Sequence, residues 1–189
     1  MLKLLILIIK YIFLIFKKYY SIIKMNNHII ILLDTSYSMI NYSNKIIIGL
    51  NKFIQKIKDK DENTIISIMI FSDKRNYLCK GILVKELLKP FTIIDLGTFG
   101  MTHLYDAVGE IIEEWINEKR AKHCLFIITD GHDNGSKYVD EEKATQYCNL
   151  AVNQGWVITH CGVDISKLGV KEIKYNIDEV DELFDNLQI

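Results

Sequence analysis

Serine, threonine and aspartate side chains at three places in the sequence have the spacing of a cation site. The first place is the stretch DTSYS, which begins at Asp34 and directly follows an apolar run. Alternate residues of an extended chain point to the same side, so Asp34, Ser36 and Ser38 are predicted to direct three oxygens at one point. The second place is Thr102, which begins a predicted helix after a glycine-containing loop, and the third is Asp130, which follows another apolar run.

These side chains offer hard oxygen ligands and neither nitrogen nor sulfur, which is typical of Mg²⁺ with water completing an octahedron. Taken singly, each has an ordinary structural explanation, because threonine caps helices and serine and aspartate are common in turns. Their order on the ends of predicted strands favours a site, since ligands of open α/β sheets bind beyond the carboxyl ends of the strands. We therefore predict a site for Mg²⁺, or alternatively Mn²⁺ or Ca²⁺, formed by Asp34, Ser36, Ser38, Thr102 and Asp130.

Short apolar runs predict the strands of the sheet. Buried strands are expected at 27–33, 65–71, 124–129 and 156–162, with a weak strand at 173–177. The stretch 77–84 is predicted to return antiparallel as an edge strand.

Apolar residues at helical spacing predict the helices between these strands. Four groups show this spacing: Ile46, Ile47, Leu50, Phe53, Ile54 and Ile57; Leu104, Val108, Ile111, Ile112 and Trp115; Ala144, Tyr147, Cys148, Ala151 and Val152; and Val180, Leu183, Phe184 and Leu187. Alternation of strands and helices predicts an α/β fold with three layers: a doubly wound, mostly parallel sheet with one antiparallel edge strand and helices on both faces.

Three segments in this order, DTSYSM, GMTHLYDAV and IITDGHDN, resemble the von Willebrand factor type A domain. The metal-ion-dependent adhesion site of that family uses an Asp-x-Ser-x-Ser motif, a separate threonine and a separate aspartate, which fall here on the five residues named above. The resemblance covers roughly residues 27–188. Tyr37 stands where glycine is usual, and Met101 stands where a second glycine often precedes the threonine. Both positions border the ion, and neither removes a ligand oxygen.

The resemblance implies that hydroxyls contact the ion directly while one or both aspartates act through water. Neutral ligands leave the charge of the ion poorly neutralised, so the ion attracts a carboxylate from outside. We therefore expect an interaction domain, not an enzyme, which captures an Asp or Glu of a protein partner through Mg²⁺. One alternative is a Mg²⁺-dependent hydrolase that uses the same oxygens with His103 or His132 as its base. These histidines are interpreted instead as polar rim residues, and no GxSxG nucleophile motif occurs in the sequence.

Charge and cysteine usage narrow the compartment and the class of partner. From residue 25 onward the chain carries 18 basic and 24 acidic residues. An acidic domain argues against nucleic acid as the partner. The four cysteines form neither a CxxC pair nor a zinc-binding spacing, so they are expected to be buried and reduced, as in the cytoplasm.

Residues 1–24 form an apolar extension that precedes the predicted domain at 25–189 and carries five lysines and no acid. A spanning helix needs about 20 apolar residues, and every 20-residue window here contains two or more lysines. No small-x-small site follows the apolar run, so a secretory signal is poorly supported. Lysines recur every seven residues at Lys3, Lys10, Lys17 and Lys24. Three interpretations stay open: a helix on a membrane surface, with the domain as a peripheral scaffold and a vestigial ion site; a helix packed on the domain; or a non-functional leader with Met25 as the true start.

Overall fold

The computed structural model of the chain describes residues 26–97, 100–162, 168 and 171–172. The described strands form one sheet and are β1 (Asn26–Asp34), β2 (Ile65–Phe71), β3 (Arg75–Leu83), β4 (Ala121–Thr129), β5 (Val157–Gly162) and β6 (Lys171–Glu172). Their order across the sheet is β3-β2-β1-β4-β5-β6. The edge strand β3 runs antiparallel to β2, and every other neighbouring pair is parallel. This confirms the predicted sheet.

The described helices are α1 (Ser43–Lys60), α2 (Ile93–Leu96), α3 (Leu104–Trp115) and α4 (Glu141–Asn153). Short 3₁₀ helices also span Tyr37–Tyr42 and Val84–Glu86. The apolar residues that predicted α1 are all buried in it, as the helical spacing requires.

The central strand β1 shows why helices cover both faces of the sheet. Ile29, Ile31 and Leu33 pack into the core layer that contains α1. Ile30 and Leu32 alternate with them and pack into the layer that contains α3 and α4. Each such side chain stabilises the fold by about 1.5–3 kcal/mol when fully buried. The strand therefore anchors both layers, and the predicted doubly wound, three-layer architecture is confirmed.

A few local details differ from the sequence prediction. Helix α2 and the 3₁₀ helix Tyr37–Tyr42 were not expected, because they are too short for apolar periodicity to register. Strand β4 begins at Ala121, three residues before the predicted start. Val152 was predicted to face inward and is 45% exposed, since the buried stripe of α4 is narrow and consists of Ala144, Cys148 and Ala151.

Some predicted features lie outside the described residues. These are the extension 1–24, the strand at 173–177 and the helix that contains Val180. Of the helices in the described ranges, none combines the length and apolar character needed to cross a membrane.

Candidate metal centre

The candidate site lies where the strand order of the sheet reverses. From β1 the chain builds outward to β2 and β3 on one side and then crosses to β4 on the other side of β1. The carboxyl ends of β1 and β4 therefore frame the crevice in which open α/β sheets bind ligands. Asp34 is the last residue of β1, and Asp130 directly follows β4. The topology thus brings two carboxylates from distant parts of the sequence to one edge of the sheet.

Both carboxylate oxygens of Asp34 accept hydrogen bonds within the buried end of β1. The Ser36 amide donates to Oδ1 at 2.8 Å, and the Thr129 hydroxyl donates to Oδ2 at 2.6 Å. Burial raises the pKa of Asp34 above its ordinary value, and the charge of Asp130 raises it further, against the opposing effect of hydrogen bonds from Thr129 and from the amide and side chain of Ser36. A cation at this place would relieve that penalty, because an opposite charge nearby favours the ionised carboxyl.

The hydroxyls of Ser36 and Ser38 lie together although the chain between them is not extended. Ser36 has an extended backbone, but the 3₁₀ helix begins at Tyr37. The Met39 amide donates to the Ser36 carbonyl at 3.1 Å and closes this tight turn. The prediction of an extended stretch through Ser38 is therefore wrong, but the turn still brings the two serine Oγ atoms within 3.2 Å of each other.

Ser38 links the first motif to Asp130. Its hydroxyl donates to Asp130 Oδ1 at 2.7 Å. Ser36 is buried, whereas Ser38 is exposed and Asp130 is half-buried. The cluster therefore opens to solvent on the side of Ser38 and Asp130, which leaves access for an ion or for a group from a partner.

Thr102 is buried beside the residue that follows Asp130. A Cβ atom on Gly131 would lie 3.3 Å from Thr102 Oγ1, so the two chain segments are in close contact. The Thr102 amide donates to Asn134 Oδ1 at 2.8 Å. The amides of Asn134 and Gly135 donate back to the Thr102 carbonyl at 3.0 and 3.1 Å. Three hydrogen bonds thus fix Thr102 against the loop after β4, and all five predicted residues lie at one end of the sheet.

Sequence reasoning missed Asp106, whose carboxylate holds this loop from helix α3. The amides of Lys137, Tyr138 and Val139 donate to it at 3.0, 2.9 and 2.8 Å. Burial raises the pKa of Asp106, but the three amides and the Arg75 guanidinium outweigh burial and hold the pKa below its ordinary value. The only sequence signal for Asp106 was its place in the first turn of a predicted helix. Acidic residues are common there in exposed helices too, so this signal did not indicate a buried carboxylate.

Asp133 and Ser136 join the same loop to the start of α3. The Tyr105 amide donates to Asp133 Oδ1 at 3.2 Å, and the Asp106 amide donates to Ser136 Oγ at 3.0 Å. The Ser136 hydroxyl donates in turn to Asp133. These side chains satisfy amides that a helix start leaves without a backbone partner, so the loop after β4 caps α3 while it positions Asp130.

Asp73 positions the segment that precedes Thr102. The Met101 amide donates to Asp73 Oδ1 at 2.8 Å, and the Tyr37 amide donates to the Gly100 carbonyl at 3.2 Å. Gly100 has a φ of +137°, and a Cβ atom there would lie 2.2 Å from Asp73 Oδ2. This position therefore requires glycine. The hydrogen bond from Tyr37 to Gly100 joins the segment that carries Ser36 and Ser38 to the segment that carries Thr102.

His103 is not a rim residue, which corrects the sequence interpretation. It is only 5% exposed, because it packs beneath the loop after β4, where a Cβ atom on Gly135 would lie 2.3 Å from its ring. Its Nε2 lies 3.7 Å from Asp73 Oδ1, and its Nδ1 lies 3.8 Å from Asp106 Oδ2. His132 is exposed, as predicted for a rim position.

The donor atoms in this cluster fit a hard cation. Within the described part of the chain, no group of three or more His, Cys, Asp or Glu side chains could hold a metal ion. A cation here therefore depends on the hydroxyls of Ser36, Ser38 and Thr102 together with two carboxylates. An oxygen-only set of this kind suits Mg²⁺, Mn²⁺ or Ca²⁺ better than softer metals.

Comparisons with known proteins support the fold. No protein-family model matches the chain, and no curated protein matches it in sequence. Among solved structures, the manganese-loaded TRAP protein of Plasmodium vivax is similar, with a TM-score of 0.58 and 18% identity over 84% of this chain and 72% of that chain.

Two further structures are similar at 12% identity. The vWF domain of the type V pili tip protein Mfa5 from Porphyromonas gingivalis has a TM-score of 0.66, over 86% of this chain and 93% of that one. Proximal thread matrix protein 1 from the mussel byssus, with a zinc-occupied MIDAS motif, has a TM-score of 0.61, over 85% of this chain and 46% of that one. The chain therefore has the fold of the von Willebrand factor type A domain.

Proposed function

We propose that this chain is a binding domain that captures a carboxylate of a protein partner through a divalent cation, with Mg²⁺ as the physiological ion. The observation that carries the proposal is the convergence of Ser36, Ser38 and Asp130 at the switch point of the sheet. The Ser38 hydroxyl lies 3.2 Å from that of Ser36 and donates to Asp130 Oδ1 at 2.7 Å. Asp34 and Thr102 complete the set at the same edge.

The side chains of the site fit this role. Asp34 is buried with both oxygens accepting hydrogen bonds, so we expect it to act on the ion through water. Ser36, Ser38 and Thr102 are neutral ligands, and a divalent ion held largely by neutral oxygens retains charge that an outside carboxylate can neutralise. The open side at Ser38 and Asp130 supplies the approach for that carboxylate.

Solved structures support the choice of a divalent cation without deciding its identity. The similar structures include one loaded with manganese and one with zinc in its MIDAS motif, according to their descriptions. Our choice of Mg²⁺ for this chain is based on its oxygen-only ligands.

We also propose that the domain is not an enzyme. The hydrolase alternative needs a base that reaches a water in the site. His103 is buried, and its two ring nitrogens face the carboxylates of Asp73 and Asp106 at 3.7 and 3.8 Å, so a structural role accounts for this ring. His132 lies two residues beyond Asp130 and is exposed, so nothing buried holds its ring in a fixed position over the site.

Binding of a labelled peptide with a single aspartate tests this function directly. We expect fluorescence anisotropy to show binding in millimolar Mg²⁺, loss of binding in EDTA, and no binding of the matched asparagine peptide. Ser36→Ala should weaken binding at least tenfold, because it removes a predicted ligand. Thr145→Ala is the matched control, since it removes a hydroxyl on α4 that donates to the Glu141 carbonyl at 2.8 Å, away from the candidate site. Equal binding of the two peptides, or binding unaffected by EDTA, would contradict the proposal.

A further inference from the structure

The start of β1 marks the place where the lysine-bearing extension 1–24 meets the domain. Asn26 begins β1, and its Cα partner across the sheet is Ala121, the first residue of β4. Both residues lie at the amino edge of the parallel strands, opposite the carboxyl edge that holds the candidate metal centre. Because β1 has nine residues and a strand rises by about 3.3 Å per residue, the two edges are about 30 Å apart. The extension therefore joins the domain on the side remote from the candidate ligands.

Loops on both sides of β1 form this amino edge, and hydrogen bonds connect them. On the side of β2, the Lys85 amide donates to the Glu62 carbonyl at 3.3 Å, and Lys85 Nζ donates to Asn63 Oδ1 at 2.8 Å. On the side of β4, Lys119 Nζ donates to Gln154 Oε1, which joins the segment before β4 to the end of α4. We call the segments that form this edge the amino face, and they are 58–64, 84–89, 116–122 and 153–157.

Positive charge is concentrated on the amino face and in the extension. The amino face contains seven basic and five acidic residues, and residues 1–24 contain five lysines and no acid. The rest of residues 25–189 contains 11 basic and 19 acidic residues. Lysines in the last turn of α1 have an ordinary explanation, since basic residues favour helix ends, but Lys89 and Lys122 are exposed outside the helices. The domain therefore has one basic face, and it lies where the basic extension joins.

Exposed apolar side chains accompany the lysines of the amino face. Leu88 is 88% exposed directly before Lys89, and Val157, the first residue of β5, is 52% exposed. In the extension, lysine recurs every seven residues among mostly apolar residues. On a helix this spacing would place the lysines on one narrow stripe and apolar side chains over the remaining surface. Such a combination suits the boundary between lipid headgroups and acyl chains, where lysine stems extend toward the headgroups.

We propose that the amino face lies against an anionic lipid membrane, with residues 1–24 as a helix in the membrane surface. The apolar side chains of the extension insert among the acyl chains, and the lysines of the extension and of the amino face contact acidic headgroups. Each lysine near an anionic membrane surface strengthens binding by about fivefold. This orientation leaves the candidate metal centre about 30 Å from the membrane, so lipid and a protein partner bind at opposite edges of the sheet.

Flotation of the full chain with lipid vesicles in EDTA tests this proposal without any contribution from a cation. We expect binding to vesicles of phosphatidylcholine and phosphatidylserine in equal parts, and at least about tenfold weaker binding to phosphatidylcholine alone. Ile12 follows Lys10 by two residues, so on a helix it faces away from the lysine stripe. Ile12→Gln should therefore weaken binding to the mixed vesicles by at least about tenfold, because it removes a buried apolar side chain.

Two double variants with equal changes in charge test the amino face. Lys89→Glu/Lys122→Glu reverses one charge on each side of β1 and should weaken binding to the mixed vesicles by at least about tenfold. Lys74→Glu/Lys137→Glu is the matched control, because both lysines are exposed in loops at the carboxyl edge of the sheet. We expect this control to bind within about twofold of wild type, since its charges lie beyond the range of screened attraction.

The outcomes distinguish the parts of the proposal. Absence of flotation with both kinds of vesicle would overturn it. Equal binding to both kinds of vesicle, or equal weakening by the two double variants, would overturn the assignment of an anionic membrane to the amino face. Binding that Ile12→Gln leaves unchanged would overturn the role of the extension. The proposed capture of a carboxylate is measured separately with the aspartate peptide, so either result can fail without the other.

Discussion

Two buried histidines at the amino ends of β1 and β4 should make the fold sensitive to mild acid. His28 Nδ1 and His123 Nδ1 lie 3.1 Å apart across the sheet, and both side chains are at most 3% exposed. Trp115 packs edge-on against His28, and Trp156 stacks on His123. We predict that the free energy of unfolding falls as pH decreases from 7 to 5 because these rings resist protonation.

Hydrogen bonds fix the proton on each ring. The Glu118 carbonyl can only accept, so His123 Nε2, 3.0 Å away, carries a proton and donates to it. His123 Nδ1 is then unprotonated and accepts from His28 Nδ1–H. His28 Nε2 in turn accepts from the Ser67 hydroxyl at 2.9 Å, and that hydroxyl oxygen accepts from the Gly81 amide at 2.8 Å. Every donor has one acceptor while both rings are neutral. A proton added to His123 Nδ1 would place two N–H groups opposite each other at the 3.1 Å contact, with no acceptor between them.

The magnitude follows from the pKa of His28. Burial lowers this pKa from 6.5 to about 3, with the nearby His123 adding to the effect and Glu118 opposing it. Burial also lowers the pKa of His123. The unfolded chain therefore binds protons more readily than the folded one. The contribution of the neutral histidines to the free energy of unfolding is fully present above pH 6.5 and is lost as pH falls toward 3. Because the pKa of His28 is about 3 in the folded chain, keeping His28 neutral at pH 5 lowers the free energy of unfolding by about 2 kcal/mol relative to pH 7, and His123 acts in the same direction.

Urea unfolding at pH 7 and pH 5 measures this loss. The raised pKa of Asp34 increases the free energy of unfolding as pH falls, which opposes the effect of the histidines. The test is therefore the difference between wild type and a variant without the two histidines. The double variant His28→Asn/His123→Asn should lose at least about 2 kcal/mol less than wild type over this range. His132→Asn, which removes an exposed histidine, should behave like wild type. An equal loss in wild type and in the double variant would refute the assignment of acid sensitivity to this pair.

Three further predictions concern the scaffold. Asp106→Asn should destabilise the fold by at least about 2 kcal/mol in urea unfolding, because it disturbs a buried acceptor of three amides. Glu110→Gln removes only an exposed ion pair with Arg75 and should cost less than about 1 kcal/mol. The cysteines, all free in the structure, should label slowly in native protein, since burial raises each thiol pKa; a mass lower by two protons in non-reducing mass spectrometry would contradict this. A chain that begins at Met25 should stay soluble and folded by circular dichroism, because the described core begins at β1; aggregation of this chain alone would place residues 1–24 in the core.

The sheet could be predicted from sequence because burial on both faces leaves a strong local signal. Strand β2 was predicted with its observed bounds, since residues 65–71 are apolar without interruption except for Ser67. The edge strand β3 was also predicted from the polar turn that precedes it, although it begins at Arg75, two residues before the predicted start. Short elements such as α2 have too few residues for periodicity to appear, and no sequence pattern marked them.

The candidate ligands could be predicted because their chemistry and order are specific in combination. Their supports could not, because Asp106, Asn134 and Asp73 act through hydrogen bonds to backbone amides on other segments, and such contacts leave no periodic signal. The burial of His103 was missed for the same reason: it depends on how the loop after β4 folds over α3. The sequence thus predicted the candidate ligands, and the structure adds the contacts that hold their segments together.

The cation site is tested most directly by thermal unfolding in EDTA and in millimolar Mg²⁺. Binding of Mg²⁺ to the folded chain alone should stabilise it by about 2.7 kcal/mol at a concentration 100 times the Kd, which raises Tm by roughly 5–10 °C. Asp130→Asn should be at least as stable as wild type in EDTA, because it removes one of two like charges at the end of the sheet, and should lose most of the response to Mg²⁺. Wild-type protein that melts at the same temperature in both buffers would contradict the presence of a cation site.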